Sequence, residues 1–258
     1  MHTYLHILGL SIPTYGFLIA LGVVISNLIA IFELKRAKLD FNDFIILEAY
    51  CFLGAFIGAK ILYLLVSFKE IDWARIKDWD YFNNLMLSGF VFYGGMILGF
   101  VFVLVAGKIH NIDAEKYIRS FIFLIPFMHC FGRLGCFMAG CCYGIPYDGF
   151  GAVVFPENSF ALSGISLFPV QLVEAAGLML ISLVIFCLML RKNWYYTVET
   201  YFISYAVLRF CLEKFRYDQA RGFYASLSTS QWISIGLLVL AFVSIMFHKK
   251  NVSQTNNG

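Results

Sequence analysis

Long apolar runs separated by short polar links set the pattern of this chain. Seven runs, near 12–33, 44–68, 90–107, 117–140, 169–190, 198–214 and 231–247, read as helices able to cross a hydrocarbon core of about 30 Å. The pattern therefore predicts an all-α, polytopic integral membrane protein with about seven transmembrane helices. It predicts one membrane domain over residues 1–250 and a polar, disordered tail over 251–258. Two links have their own character. Residues 71–86 mix Trp73, Trp79 and Tyr81 with alternating charges, as in a short helix lying at the membrane interface. Residues 142–168, with Gly144, Pro146, Gly149, Gly151, Pro156 and Gly164, read as an irregular loop.

Composition agrees with the runs. Of 258 residues, 60% are hydrophobic and only 14% charged, whereas a water-soluble domain carries about a quarter charged residues. That deficit excludes an ordinary soluble fold. The net charge of +3 matters less than where it falls. Lys35, Arg36, Lys38, Lys108, Lys116, Arg191, Lys192, Lys249 and Lys250 share one side in an alternating count. The other side has none in 1–11 or 142–168, although Lys69, Arg75, Lys77, Lys214, Arg216 and Arg221 occupy its other two loops. The positive-inside rule then predicts the N-terminus outside and the C-terminus in the cytoplasm. With no Lys or Arg ahead of the first run and no convincing cleavage site after it, that run reads as a permanent span.

Several charges lie where a bilayer disfavours them, at about 2.5–3.5 kcal/mol each on the permissive insertion scale, so they are expected to face a cavity or a partner. They are Lys60, Arg133, Glu174, Arg209 and Glu213. Tyr205, Arg209, Glu213 and Arg216 recur at intervals of four, four and three, which predicts one helical face, and Gln171 and Glu174 share another. An internal salt-bridge set joining helices is one reading. The other is a fixed cationic cluster for a phosphate, since three arginines face two acids and guanidinium binds phosphate oxygens bidentately. Gly132, Gly135, Gly140 and Gly144 around Arg133, and Gly94, Gly95 and Gly99 after Tyr93, read either as close helix contacts or as room for a lipid head group.

Gly132-Arg133-Leu134-Gly135, with Phe137, Gly140 and Gly144, resembles the signature of the prolipoprotein diacylglyceryl transferase family. Ile12–Gly16 is similar to its first-helix motif, Gly58-Ala59-Lys60 with Tyr63 to its second, and Tyr93-Gly94-Gly95-Met96 to its His-Gly-Gly segment. Pro169–Ala175 resembles the Pro-Ser-Gln-Leu-Tyr-Glu segment, Tyr205–Arg216 the Tyr-x-x-x-Arg-Phe-x-x-Glu-x-x-Arg helix, and Ser230-Gln231 a late Ser-Gln motif. The resemblance implies transfer of a diacylglyceryl group from phosphatidylglycerol to the lipobox cysteine thiol of a prolipoprotein, with release of glycerol phosphate. It implies Arg133, Arg209 and Tyr93 as catalytic residues. It implies Tyr15, Lys60, Gly94, Gly95, Gly132, Gln171, Glu174, Glu213 and Arg216 as substrate-binding residues. The expected partners are phosphatidylglycerol, the lipobox peptide and membrane lipid of the bacterial inner membrane, with no cofactor, metal or nucleic acid. The chain departs from the family pattern at Tyr93, where His is usual, at Lys60, where Arg is usual, and at Cys136, Ala139 and Cys141, where the signature carries Asn, Asn and an acid.

Of seven cysteines, Cys51, Cys130, Cys136, Cys187 and Cys211 lie in apolar segments and read as packing. Gly140-Cys141-Cys142 leaves four readings open: packing, a disulfide, a metal site with Cys136, or a thiol that takes the transferred group. Three functions also stay open: a lipid-modifying transferase, with a lipobox peptide or another acceptor, a non-enzymatic phospholipid-binding protein, and a structural membrane subunit.

Overall fold

The computed structural model describes residues 4–7, 10–87, 89–157, 159–191, 195–217, 223–224 and 226–255, so Lys192 and Arg221 of the charge count and positions 256–258 of the expected tail lie outside them. The described residues are mostly helical, as the apolar runs require. Among the described residues five helices are long and apolar enough to cross a membrane, or six if one bent pair forms a single span. They are α1 (Thr14–Ala37), α2 (Phe41–Val66), α4 (Phe92–His110), α7 (Val170–Leu190) and the apolar part of α9 (Thr229–Thr255).

By that measure two of the seven runs fall short of a single long helix, for local reasons. The run near 117–140 is broken into α5 (Ala114–Phe121) and α6 (Leu124–Ala139), bent by 50°. Pro126 lies just past the break and has no N–H with which to continue the helical ladder. The run near 198–214 forms α8 (Thr197–Leu212), whose 16 residues rise only about 24 Å. Between α2 and α4 a 3-10 turn at Trp73–Arg75 and α3 (Trp79–Leu87) occupy the link expected to hold a short interfacial helix, with Trp73 and Trp79 exposed. α9 continues to Thr255, into the stretch expected as a polar tail.

The chain forms two compact units, Met1–Glu33 with Arg119–Gly258, and Leu34–Ile118. In the second unit α2 packs on α4 through glycines. A Cβ on Gly58 would run into the carbonyl oxygen of Gly94, and one on Gly94 into that of Gly58, so both must be glycine for the backbones to approach this closely. Asp40 caps α2 by accepting from the amides of Asn42 and Asp43 at 2.8 and 3.1 Å.

Largely ahead of the first apolar run, the first unit pairs β1 (Tyr4–Ile7) antiparallel with β2 (Leu10–Pro13), a feature not expected from the sequence. Its α6 and α7 run antiparallel. Ser182 Oγ donates to Phe123 O at 2.8 Å near one end, and Gln171 Nε2 donates to Cys141 O at 2.9 Å just past the other. The described residues of the loop 142–168 are irregular apart from β3 (Val153–Val154) and β4 (Ser166–Leu167). Its first residues are clamped on both sides. Ile145 N donates to Phe215 O at 3.0 Å, and Phe168 N donates to Ile145 O at 2.9 Å. Gly144 sits in this clamp with room for no Cβ, because the carbonyl oxygens of Phe168 and Phe215 close over it.

Candidate active site

The first unit gathers eight of the candidate residues: Tyr15, Gly132, Arg133, Gln171, Glu174, Arg209, Glu213 and Arg216. Arg133, in the middle of α6, forms an ion pair of 3.1 Å with Glu174 in the first turns of α7. Arg216 approaches the same carboxylate at 3.9 Å. Arg209 pairs with Glu213 at 2.8 Å and donates to Ser230 Oγ at 3.0 Å. Glu174 is 1% exposed and Arg209 2%, so these charges are out of water and hold one another by geometry. Three guanidinium groups face two carboxylates, which leaves the cluster cationic.

The helical face expected for Tyr205, Arg209, Glu213 and Arg216 forms only in part. α8 ends at Leu212, Glu213 opens a 3-10 turn through Phe215, and Arg216 is extended at φ −94° and ψ 138°. Arg216 reaches Glu174 for a different reason. Gly144 and Arg216 bridge as antiparallel partners, so the loop after α6 fixes the segment that carries the arginine.

Arg133 has polar room around it. Its Nε is buried with no hydrogen-bond partner among the described residues, as is Gln171 Oε1. A Cβ built on Gly132 meets nothing within 4 Å, so this glycine leaves space where a close helix contact was one expectation. Gly135 behaves oppositely, for the ring of the half-exposed Tyr15 covers it.

Two residues were missed as members of the site. His129 packs against Tyr205 with the rings tilted by 58° and their centroids 5.7 Å apart, and it feels the charge of both Arg133 and Arg209. Its position four residues before Arg133 on the same helix was the available signal. Ser230 reaches Arg209 because Ser228 and Gln231 form a reciprocal cap on α9. Gln231 N donates to Ser228 Oγ at 3.2 Å and Ser228 N to Gln231 Oε1 at 3.0 Å, the capping box that Ser-x-x-Gln announces.

Lys60, Tyr93, Gly94 and Gly95 belong to the second unit. There the Lys60 ammonium donates to the carbonyl oxygens of Leu85 and Gly89 and lies over the rings of Tyr63 and Phe90 at 4.8 and 5.0 Å. Gly94 and Gly95 face the backbone of α2, which is the close-packing reading.

All seven cysteines are free thiols, so the expectation of a disulfide at Cys141 or Cys142 is not met. The Sγ atoms of Cys136, Cys141 and Cys142 all lie within 4.8 Å of one another. Mutual hydrogen bonding with Cys136 and Cys141, aided by the Arg216 and Arg133 charges, pulls the Cys142 thiol down from its ordinary range. The same hydrogen bonding pushes Cys141 up.

Residues 2–247 match the family model described as Prolipoprotein diacylglyceryl transferase. Among similar proteins, phosphatidylglycerol–prolipoprotein diacylglyceryl transferase 2 of Clostridium perfringens is 30% identical over 243 residues, covering 90% of each chain. The transferase of the same name, without the numeral, from Clostridium tetani is 32% identical over 240 residues, covering 90% of this chain and 91% of its own. That of Clostridioides difficile is 28% identical, covering 94% of each.

Proposed function

Because the chain belongs to the prolipoprotein diacylglyceryl transferase family, we propose that it moves a diacylglyceryl group from phosphatidylglycerol to the lipobox cysteine of a prolipoprotein. The observation that carries this reading is the convergence of Arg133 and Arg216 on Glu174, with Arg209 and Glu213 in the same unit. The reaction forms a bond between the substrate sulfur and the glyceryl carbon next to phosphate. The bond from that carbon to the phosphate oxygen breaks, and glycerol phosphate leaves with the electron pair. Negative charge therefore grows on the phosphate oxygens in the transition state.

Preorganised guanidinium groups out of water stabilise such charge far better than water does. Arg133 supplies a buried N–H that has no hydrogen-bond partner among the described residues, and Glu174 holds Arg133 and Arg216 at the same point before substrate arrives. Arg209, anchored by Glu213 and Ser230, adds the third cation. Gln171, Gly132 and Tyr15 are proposed to line the lipid and peptide approach. Tyr93, Lys60, Gly94 and Gly95 rest on family resemblance alone. The membrane is proposed to be the bacterial inner membrane, with the α5–α6 pair and α8 crossing it as well, so that seven crossings place Met1 outside and Gly258 in the cytoplasm, on the asymmetry of Lys and Arg among the links.

The test is release of glycerol phosphate from phosphatidylglycerol vesicles carrying the purified protein. Release that requires an added lipobox peptide supports the transferase. Phosphatidylglycerol that co-purifies and never turns over supports the phospholipid-binding alternative.

A further inference from the structure

The cationic cluster is not the only constellation in the first unit. α6 ends in a left-handed Gly140 at φ 75°, whose amide donates to Phe137 O at 3.2 Å while the Cys141 amide donates to Cys136 O at 3.1 Å. That reversal turns Cys141 and Cys142 back over the last turn of α6, where Cys136 is buried. Cys142 is itself held at φ 57°, a conformation a non-glycine residue adopts only where its surroundings impose it. Gln171 fixes the turn from α7 through Cys141 O at 2.9 Å. The outcome is three free thiols whose Sγ atoms lie within 4.8 Å of one another.

Packing alone does not require three thiols to converge on one point. A metal does: with Zn–S bonds of about 2.3 Å, tetrahedral ligation sets the sulfurs ~3.8 Å apart, within small side-chain adjustments of this arrangement. Three protein ligands leave a fourth position open, the pattern of reactive rather than structural zinc sites. Thiolate-only donors select thiophilic d10 ions such as Zn2+ over hard cations. The neighbourhood also suits a nucleophile, because Cys136 lies three residues beyond Arg133 on α6 and the bridge of Gly144 with Arg216 holds Arg216 against the loop two residues past Cys142.

We propose that Cys136, Cys141 and Cys142 bind a Zn2+ ion whose open position takes the acceptor thiol and holds it as thiolate beside the phosphate-binding arginines. The proposal rests on the transferase reading for its acceptor and its donor. Free cysteine, with a pKa of about 8.5, is only a few per cent thiolate at pH 7, and metal coordination deprotonates a thiol outright. The acceptor sulfur loses its proton to water and attacks the glyceryl carbon. The carbon–oxygen bond to phosphate breaks, and glycerol phosphate leaves toward Arg133 and Arg216. The thioether product is a weak ligand and departs. No electron is gained or lost by the metal.

The experiment uses the full chain, purified in detergent with reductant and Zn2+. The expected result is one Zn2+ per chain, lost in Cys136→Ser and in Cys142→Ser. The Co2+-loaded protein should show thiolate charge-transfer absorption that shifts when a lipobox peptide is added and not when its Cys→Ser counterpart is added. Chelation should lower transfer by about thirtyfold at pH 7, restored by Zn2+, and the gap should shrink toward pH 9 as the free acceptor thiol ionises by itself. This chelation arm needs no variant to fold. A chain that binds no Zn2+, two of the three thiols found joined in a disulfide when the protein is purified without reductant, or full transfer by metal-free protein at pH 7 overturns the proposal. A peptide-dependent Co2+ spectrum without any peptide lipidation upholds the thiol-binding site and sinks the transferase reading instead.

Discussion

Arg133→Gln removes one of the two cations that meet Glu174 and the buried N–H that has no partner among the described residues. Two effects follow and differ in size and kind. Losing a preorganised donor to a developing anion costs about 2.7–4 kcal/mol, so the transfer rate should fall a hundred- to a thousandfold. Removing one member of a buried pair costs about 3–5 kcal/mol in stability, with the lower end expected because Arg216 still stands 3.9 Å from Glu174. Arg133→Lys should restore much of the stability and little of the rate, since an ammonium cannot reproduce the bidentate fork. The double variant Arg133→Gln with Glu174→Gln separates the effects. It removes the stranded carboxylate, so detergent thermal stability should recover relative to the single variant while transfer stays low. Rates are measured with a fluorescent phosphatidylglycerol and a lipobox peptide, normalised to folded protein. A folded Arg133→Gln protein that transfers within threefold of the wild type would refute the assignment of the phosphate to this arginine.

Other perturbations should read out elsewhere. Glu199 pairs with Arg119 at 3.1 Å and accepts from Ser244, so Glu199→Gln should cost about 3 kcal/mol in stability yet leave the rate per folded molecule within twofold. Gly58→Ala forces a Cβ against the Gly94 carbonyl and should destabilise by about 1–3 kcal/mol, seen as a lower midpoint in detergent melting; an unchanged midpoint would mean that α2 and α4 do not meet this closely. Tyr93→Phe should lower transfer by less than tenfold if its hydroxyl only positions lipid, and by as much as Arg133→Gln if it handles the proton.

The long apolar runs were readable because length alone separates a spanning helix from most alternatives. The same uniformity hid what interrupts them. The break before Pro126 depends on one missing N–H, and the pairing of Tyr4–Ile7 with Leu10–Pro13 lies largely ahead of the first run and carries only the brief alternations Leu5-His6-Ile7 and Leu10-Ser11-Ile12. The site was legible in composition more than in geometry. Arg133, Glu174, Arg209 and Glu213 could be named because buried charges demand partners, and Arg209 with Glu213 could be paired by i, i+4 spacing, whereas the pairing of Arg133 with Glu174 depends on the packing of α6 on α7. Arg216 was placed on the helical face for the wrong reason, since its contact with Glu174 depends on the Gly144 bridge between distant segments. The convergence of Cys136 with Cys141 and Cys142 likewise depends on the left-handed turn at Gly140, which residue spacing does not encode uniquely.

The central claim is tested most directly by mass spectrometry of a lipobox peptide after incubation with the purified protein and phosphatidylglycerol of defined acyl chains. The account predicts a peptide heavier by one diacylglyceryl group, attached at the cysteine, with one glycerol phosphate released for each peptide modified. An unchanged peptide beside intact phosphatidylglycerol, or a peptide carrying a single acyl chain, would contradict it.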